Sequence, residues 1–147
     1  MKLMLAFTTT MAVVACTVFT LSAQAKKSQW DGVYTAAQAT RGAETFKGKC
    51  AQCHGANLQG YAIEATPAPA LTGAEFEKNW DSFPLSDLYD KIKMLMPQDD
   101  PGSLTAEQAA DVIAFILQTG KYPVGTAEVS TDHAQLEAIK FLAKKPA

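Results

Sequence analysis

A helical fold is predicted by three stretches of this 147-residue chain. Thr35-Ala36-Ala37-Gln38 has the form of a capping box, and Ala39, Gly42, Ala43 and Phe46 then recur at helical spacing, with Cys50 continuing the same face. Thr105-Ala106-Glu107-Gln108 is a second capping box, opening a stripe of Ala109, Val112, Ile113 and Ile116 flanked by Phe115. Between them Leu85, Leu88, Ile92 and Leu95 keep the same period. The length suggests one domain at most.

Taken in order, the chain opens on a targeting pattern. Lys2 precedes an apolar run from Leu3 to Leu21, and Ser22-Ala23-Gln24-Ala25 follows. This reads as a signal peptide over residues 1–25, cleaved after Ala25 by an Ala-x-Ala rule. Residues 26–147 are then the working chain. Losing Lys2 moves the formal charge from −2 to −3, a mild acidity that argues against a nucleic-acid partner. Two other outcomes stay open. Val13-Val14-Ala15-Cys16 resembles a weak lipobox, which would lipidate Cys16. The apolar run is also nearly long enough to stay as a membrane anchor, though its threonines lower its hydrophobicity.

Residues from Lys26 to Val33 are expected as an irregular lead-in, with Trp30 and Tyr34 covering the edge of the core. The first helix starts at Thr35 and points Arg41, Glu44, Lys47 and Lys49 away from its apolar face. Gly42 is costly inside a helix, which suggests a second helix crossing closely there; a merely tolerated glycine is the alternative.

That helix delivers Cys50-Ala51-Gln52-Cys53-His54, the attachment pattern of c-type haem. Each thiol can add to one vinyl group to form a thioether, and the adjacent histidine lies under the iron as its proximal ligand. Three other uses are weaker. A redox Cys-x-x-Cys normally follows a strand. A structural zinc site needs four ligands, and the processed chain offers only Cys50, Cys53, His54 and His133. A disulfide across so short a loop would add little stability. If Cys16 leaves with the signal, haem attachment uses every remaining cysteine.

After His54 come Gly55, Gly60 and Pro67-Ala68-Pro69-Ala70, a long loop able to wrap the proximal side of the haem. A ligating histidine usually donates its second ring N–H to an oxygen, and the carbonyl near Pro69 is the candidate acceptor. Leu71 and Phe76 are expected in the core. Trp80 is a candidate donor to a haem propionate, with an ordinary half-buried aromatic as the alternative. Ser86 is expected to cap a helix running to about Met94. Pro97 ends it and biases Met96 to an extended backbone. An acidic turn follows, then the Thr105 helix, stopped by Gly120 and Pro123. In the tail, Thr131 is expected to cap a last helix carrying Leu136, Ile139 and Leu142.

The sixth iron position decides function: methionine opposite histidine gives an electron-transfer centre, an open site gives ligand binding or catalysis. Met96 is the preferred ligand, because it lies in a loop beyond its helix. Met94, inside the helix, and His133, in the polar tail, are the lesser candidates.

These motifs together resemble the class I c-type cytochromes, the small bacterial periplasmic ones. The resemblance rests on Gly42-Ala43-Glu44-Thr45-Phe46, Cys50 through Gly55, Pro69-Ala70-Leu71-Thr72-Gly73, Met96-Pro97 with Pro101-Gly102-Ser103-Leu104, and Ala110 through Leu117. It covers about 30–125 and leaves 126–147 as a C-terminal extension. It implies an all-α fold with the first and last helices crossing and loops wrapped around one covalent haem c. It also implies that the Pro69 carbonyl orients His54 and that Met96 ligates iron. Trp30 through Tyr34 and Tyr122-Pro123-Val124-Gly125 look like cytochromes that accept electrons from quinoprotein dehydrogenases, which would make such an enzyme the donor and a terminal oxidase or another cytochrome the acceptor. The expectation is a monomeric, periplasmic single-electron carrier and not an enzyme. Two rivals are a haem-bearing subunit of a larger redox complex and a haem enzyme or gas sensor with a labile sixth ligand.

Overall fold

Two helices far apart in sequence meet at Gly42. A computed structural model describes residues 27–61 and 68–146; the predicted leader, its cleavage point and Cys16 lie outside them. Helix α1 spans Ala36–Lys49 and follows a strand β1 (Lys27–Ser28) and a 3-10 turn (Gln29–Asp31). After it come α2 (Ala51–His54), α3 (Ala74–Trp80), α4 (Leu85–Leu95), α5 (Ala106–Thr119), α6 (His133–Glu137) and a strand β2 (Ile139–Lys140). A Cβ at position 42 would overlap the Asp111 carbonyl of α5 and press on the Cβ of Phe115 at 3.0 Å. Glycine is therefore required by the crossing of α1 and α5, as expected from sequence. Phe46 and Phe115 meet one step further along, ring centroids 5.3 Å apart. Ala39, Phe46, Ala109, Val112, Ile113, Ile116 and Leu117 are buried around them. Each buried Val, Ile, Leu or Phe contributes roughly 1.5–3 kcal/mol, so packing and not helix propensity holds helices of this length.

The capping predictions divide. At Thr105 both halves form: the Gln108 N–H donates to Thr105 Oγ1 (3.1 Å) and the Thr105 N–H to Gln108 Oε1 (2.9 Å). At Thr35 only the hydroxyl cap forms, accepting from the Gln38 N–H at 3.1 Å. The Gln38 side chain turns inward and pairs with Val129 at two points, its Nε2 donating to the carbonyl (3.0 Å) and its Oε1 accepting from the N–H (2.7 Å). Burial explains the choice, since Gln38 is only 2% exposed and needs partners for its amide.

Helix α4 begins one residue before the expected cap. Pro84 occupies the N-cap without a side-chain bond, and Ser86 is buried inside the helix with its hydroxyl donating to Glu137 Oε2 at 2.6 Å. Helix α3, seven residues long, is too short for its periodicity to show in the sequence.

The tail departs most from expectation. Asp132, not Thr131, caps α6, its Oδ1 accepting from the Gln135 N–H at 3.0 Å. The helix stops at Glu137, and Ile139–Lys140 pairs in parallel with Lys27–Ser28. A longer helix is excluded by the partners the backbone takes instead. The Phe141 N–H donates to the Phe83 carbonyl (2.8 Å) and the Phe141 carbonyl accepts from Ser82 (2.7 Å). The Leu142 N–H donates to Gln29 Oε1 (2.9 Å), while its carbonyl accepts from Gln29 Nε2 (2.6 Å) and the Trp30 indole (2.9 Å). The lead-in is consequently ordered as well, with Ser28 and Asp31 forming a capping box. Among the described residues the helical fold thus carries one short parallel ladder, joining the lead-in to the tail.

Candidate functional site

Cys50 ends α1 and begins the next turn. Its N–H still reaches the Phe46 carbonyl (2.8 Å), but its φ of −125° breaks the helix axis. The Cys50 carbonyl then accepts from the N–H groups of Cys53 (3.1 Å) and His54 (2.9 Å). This single turn of α2 puts the two thiols one helical step apart, on neighbouring positions of one face. Cys50 is half-buried, Cys53 is exposed, and both are free thiols. Burial, and secondarily the nearby Cys53, pushes the Cys50 thiol up to about 11. At neutral pH it is a neutral thiol and not a thiolate.

His54 is oriented by the loop that follows it. Its Nδ1 lies 2.9 Å from the Pro69 carbonyl oxygen. A carbonyl only accepts, so Nδ1 carries the proton and Nε2 keeps the lone pair that a metal would use. The loop is closed upon itself to hold that carbonyl. The Gly60 N–H donates to the His54 carbonyl (2.8 Å), Tyr61 and Ala68 exchange backbone bonds (3.0 and 3.2 Å), and the Leu71 N–H donates to Leu58 (2.9 Å). Gly60 has φ +72°, and a Cβ there would come within 2.6 Å of the Ala68 oxygen and the Ala70 nitrogen. Only glycine lets the outgoing strand of the loop pass so close to the returning one. Leu58, fully buried, pins its base. Residues 62–67 lie outside the described set.

Met96 sits directly after α4, with the extended backbone (φ −121°, ψ 149°) expected from Pro97. It is half-buried, whereas Met94 is 63% and Leu95 55% exposed. Leu85, Leu88, Tyr89 and Ile92 anchor the other face of α4 in the core. Trp80 closes α3 and is half-buried in an aromatic cluster, its ring 6.2 Å from Phe76 and 6.3 Å from Phe83. The structure therefore gathers Cys50, Cys53, His54 and the Pro69 carbonyl into one turn-and-loop unit, and sets Met96 and Trp80 on separate elements. His133 is exposed on α6, with Nε2 3.3 Å from Asp90 Oδ2.

The donor set fits a haem. Two thiols one turn apart suit two thioethers, an Nδ1-protonated imidazole suits an axial bond, and a thioether sulfur suits a second. Among the described residues no cluster of three or more His, Cys, Asp or Glu could hold a bare metal ion. That leaves the zinc reading without a site there.

One polar assembly was invisible in the sequence. Arg41 grips Asp111 with two bonds of 2.9 Å and Glu128 with bonds of 3.1 and 2.9 Å, tying α1, α5 and the tail together. Asp111 carries the only available signal, an acid amid a buried apolar stretch.

Comparison with known proteins gives the family and the fold. The model of the family described as cytochrome C oxidase, cbb3-type, subunit III matches residues 37–116, more than half of the chain. A solved chain of the sulfane dehydrogenase SoxCD from Paracoccus pantotrophus superposes with a TM-score of 0.50 at 19% identity. The match takes in 76% of this chain and 61% of that one, less than two thirds of its length, and at this identity it speaks for the fold alone. No curated protein matches the chain. Among the described residues no helix is long and apolar enough to cross a membrane.

Proposed function

Because this chain belongs to the cytochrome c family described as cbb3-type oxidase subunit III, and so binds a covalent haem c for electron transfer, we propose that it is a single-electron carrier with the iron held between His54 and Met96. Cys50 and Cys53 are the thioether anchors, and His54 is the proximal ligand. The observation that carries this reading is the 2.9 Å approach of His54 Nδ1 to the Pro69 carbonyl, within the attachment motif itself. That bond selects the tautomer, sets the ring plane and makes Nε2 a stronger donor. Met96 would supply the second protein bond to the iron and would keep water and small ligands away. Trp80 would offer its indole N–H to a propionate. The bound haem supplies a one-electron iron couple whose potential the ligands and their hydrogen bonds tune.

In the same reading residues 1–25 direct export to the periplasm and are removed after Ala25. Residues 26–147 form one cytochrome domain, with a core of about 30–125 and an extension of 126–147. The protein is not an enzyme. It is monomeric and docks redox proteins by a small, transient interface. A quinoprotein dehydrogenase is the proposed donor, and a terminal oxidase or second cytochrome the acceptor. A second reading, favoured by the family's description as an oxidase subunit, keeps the same chemistry inside a larger complex.

The test is carbon monoxide binding by the reduced, haem-loaded protein beside Met96→Ala. The parent is expected to bind carbon monoxide only slowly, while the variant binds it rapidly. Rapid binding by the parent would overturn the carrier reading in favour of an open-site enzyme or sensor.

A further inference from the structure

The tail does more than cover apolar surface, because it is attached to the helix that Met96 directly follows. Ser86, on the first turn of α4 and fully buried, donates to Glu137 Oε2 at 2.6 Å. On the next turn Asp90 meets His133 at 3.3 Å. Just before α4, Pro84 bridges Lys140, while Ser82 and Phe83 exchange backbone bonds of 2.7 and 2.8 Å with Phe141. Leu136, fully buried, joins the core from α6. The tail thus holds the start and middle of α4 through both side chains and backbone.

Met96 is ten residues beyond Ser86, roughly 15 Å along a helix axis. A helix bends little over that length, so a change of pitch at Ser86 is passed to Met96 as a displacement. Axial ligation is sensitive to such displacement, since a misplacement of about 1 Å is enough to disable a positioned group. We propose that residues 133–141 are a strap that sets the pitch of α4, making Glu137 and Ser86 positioning residues for the Met96 sulfur. The inference rests on the reading of Met96 as an iron ligand.

The competing possibility is a strap that only adds general stability, and the tail contains its own control. Glu128 is attached to Arg41 on α1, not to α4. The experiment uses the full haem-loaded chain in the reduced state. It measures the rate of carbon monoxide binding and the position of the ligated methionine methyl signal in the proton spectrum, with Tm recorded alongside. Glu137→Ala and Ser86→Ala are expected to bind carbon monoxide roughly five- to tenfold faster than the parent, the order set by one lost hydrogen bond of ordinary strength, with the methyl signal shifted or broadened. Glu137→Gln, which keeps an oxygen for the Ser86 hydroxyl, is expected to behave as the parent. Glu128→Ala is expected to keep the parent's rate and methyl signal even where its Tm falls. Parental behaviour of Glu137→Ala, or equal acceleration by Glu128→Ala, overturns the proposal. If Glu137→Ala does not fold, Ser86→Ala decides by the same criterion. A Met96→Ala reference no faster than the parent identifies failure of the ligand reading itself, and the strap proposal falls with it.

Discussion

The two sides of the α1–α5 pair are secured by opposite means. On the tail side a set of polar groups takes partners from distant parts of the chain: Gln38 with Val129, Gln29 and Trp30 with Leu142, Ser86 with Glu137, Arg41 with Asp111 and Glu128. On the motif side the contacts are local, within the turn from Cys50 to His54 and the loop from Gly55 to Leu71. In the proposed function the thiols, the Nε2 of His54 and the sulfur of Met96 are the groups that would hold the haem. The difference teaches how a small fold can keep a reactive face: one side is cross-linked over more than a hundred residues of sequence, so the other can be built from short loops.

The predictions probe that division. The largest effect belongs to the motif side. Cys50→Ala with Cys53→Ala should abolish haem that survives denaturation, read by a haem stain of the denatured chain. Next is the seam shared by both sides. Gly42→Val should force α1 off α5 and cost about 3 kcal/mol, a fall of ~10 °C in Tm; an unchanged Tm would mean that the crossing tolerates a side chain. On the tail side alone, Gln38→Ala should leave a buried N–H and carbonyl of Val129 unpaired and cost about 2 kcal/mol. Chemical denaturation measures that cost, and the haem spectrum should not change.

The smallest effect is electrostatic. The Arg41 hydrogen bond, and further its charge and a Thr35 bond, hold the Glu128 carboxyl below its ordinary value of 4.5, against a smaller opposing effect of desolvation. A carboxyl with a lowered folded value stabilises the fold fully above its unfolded value and loses that contribution as the pH falls through the folded one. The Tm difference between the parent and Glu128→Gln should therefore be constant above about pH 4.5 and shrink below it. Both groups are solvent-accessible, so added salt should shrink it as well.

The motif side was the legible one. Cys50 to His54, the placement of Met96 before Pro97, and a partner carbonyl near Pro69 follow from local spacing and covalent chemistry, and the structure places Pro69 against His54. Gly42 was legible in part: an isolated glycine in a helical stripe suggests a close crossing or a tolerated residue, and the Asp111 carbonyl against it decides for the crossing. The tail side was hidden because its partners are far apart. Thr35 and Gln38 have the pattern of a full capping box, yet a backbone 91 residues away takes the glutamine. Ser86 looks like a cap because its burial and its bond to Glu137 leave no trace in the local pattern. Leu136, Ile139 and Leu142 suggest a helix, and the distant partners of residues 139–142 on Lys27–Ser28, Gln29, Trp30, Ser82 and Phe83 forbid it.

The proposed iron centre is closed and exchanges one electron without changing ligands. Its most direct test is a spectroelectrochemical titration of the full haem-loaded protein, taken in both directions. The account predicts one reversible transition with a one-electron slope, and superimposable reductive and oxidative curves. Hysteresis between the two directions, or consumption of a small oxidant such as peroxide on cycling, would show that the iron opens, and would contradict it.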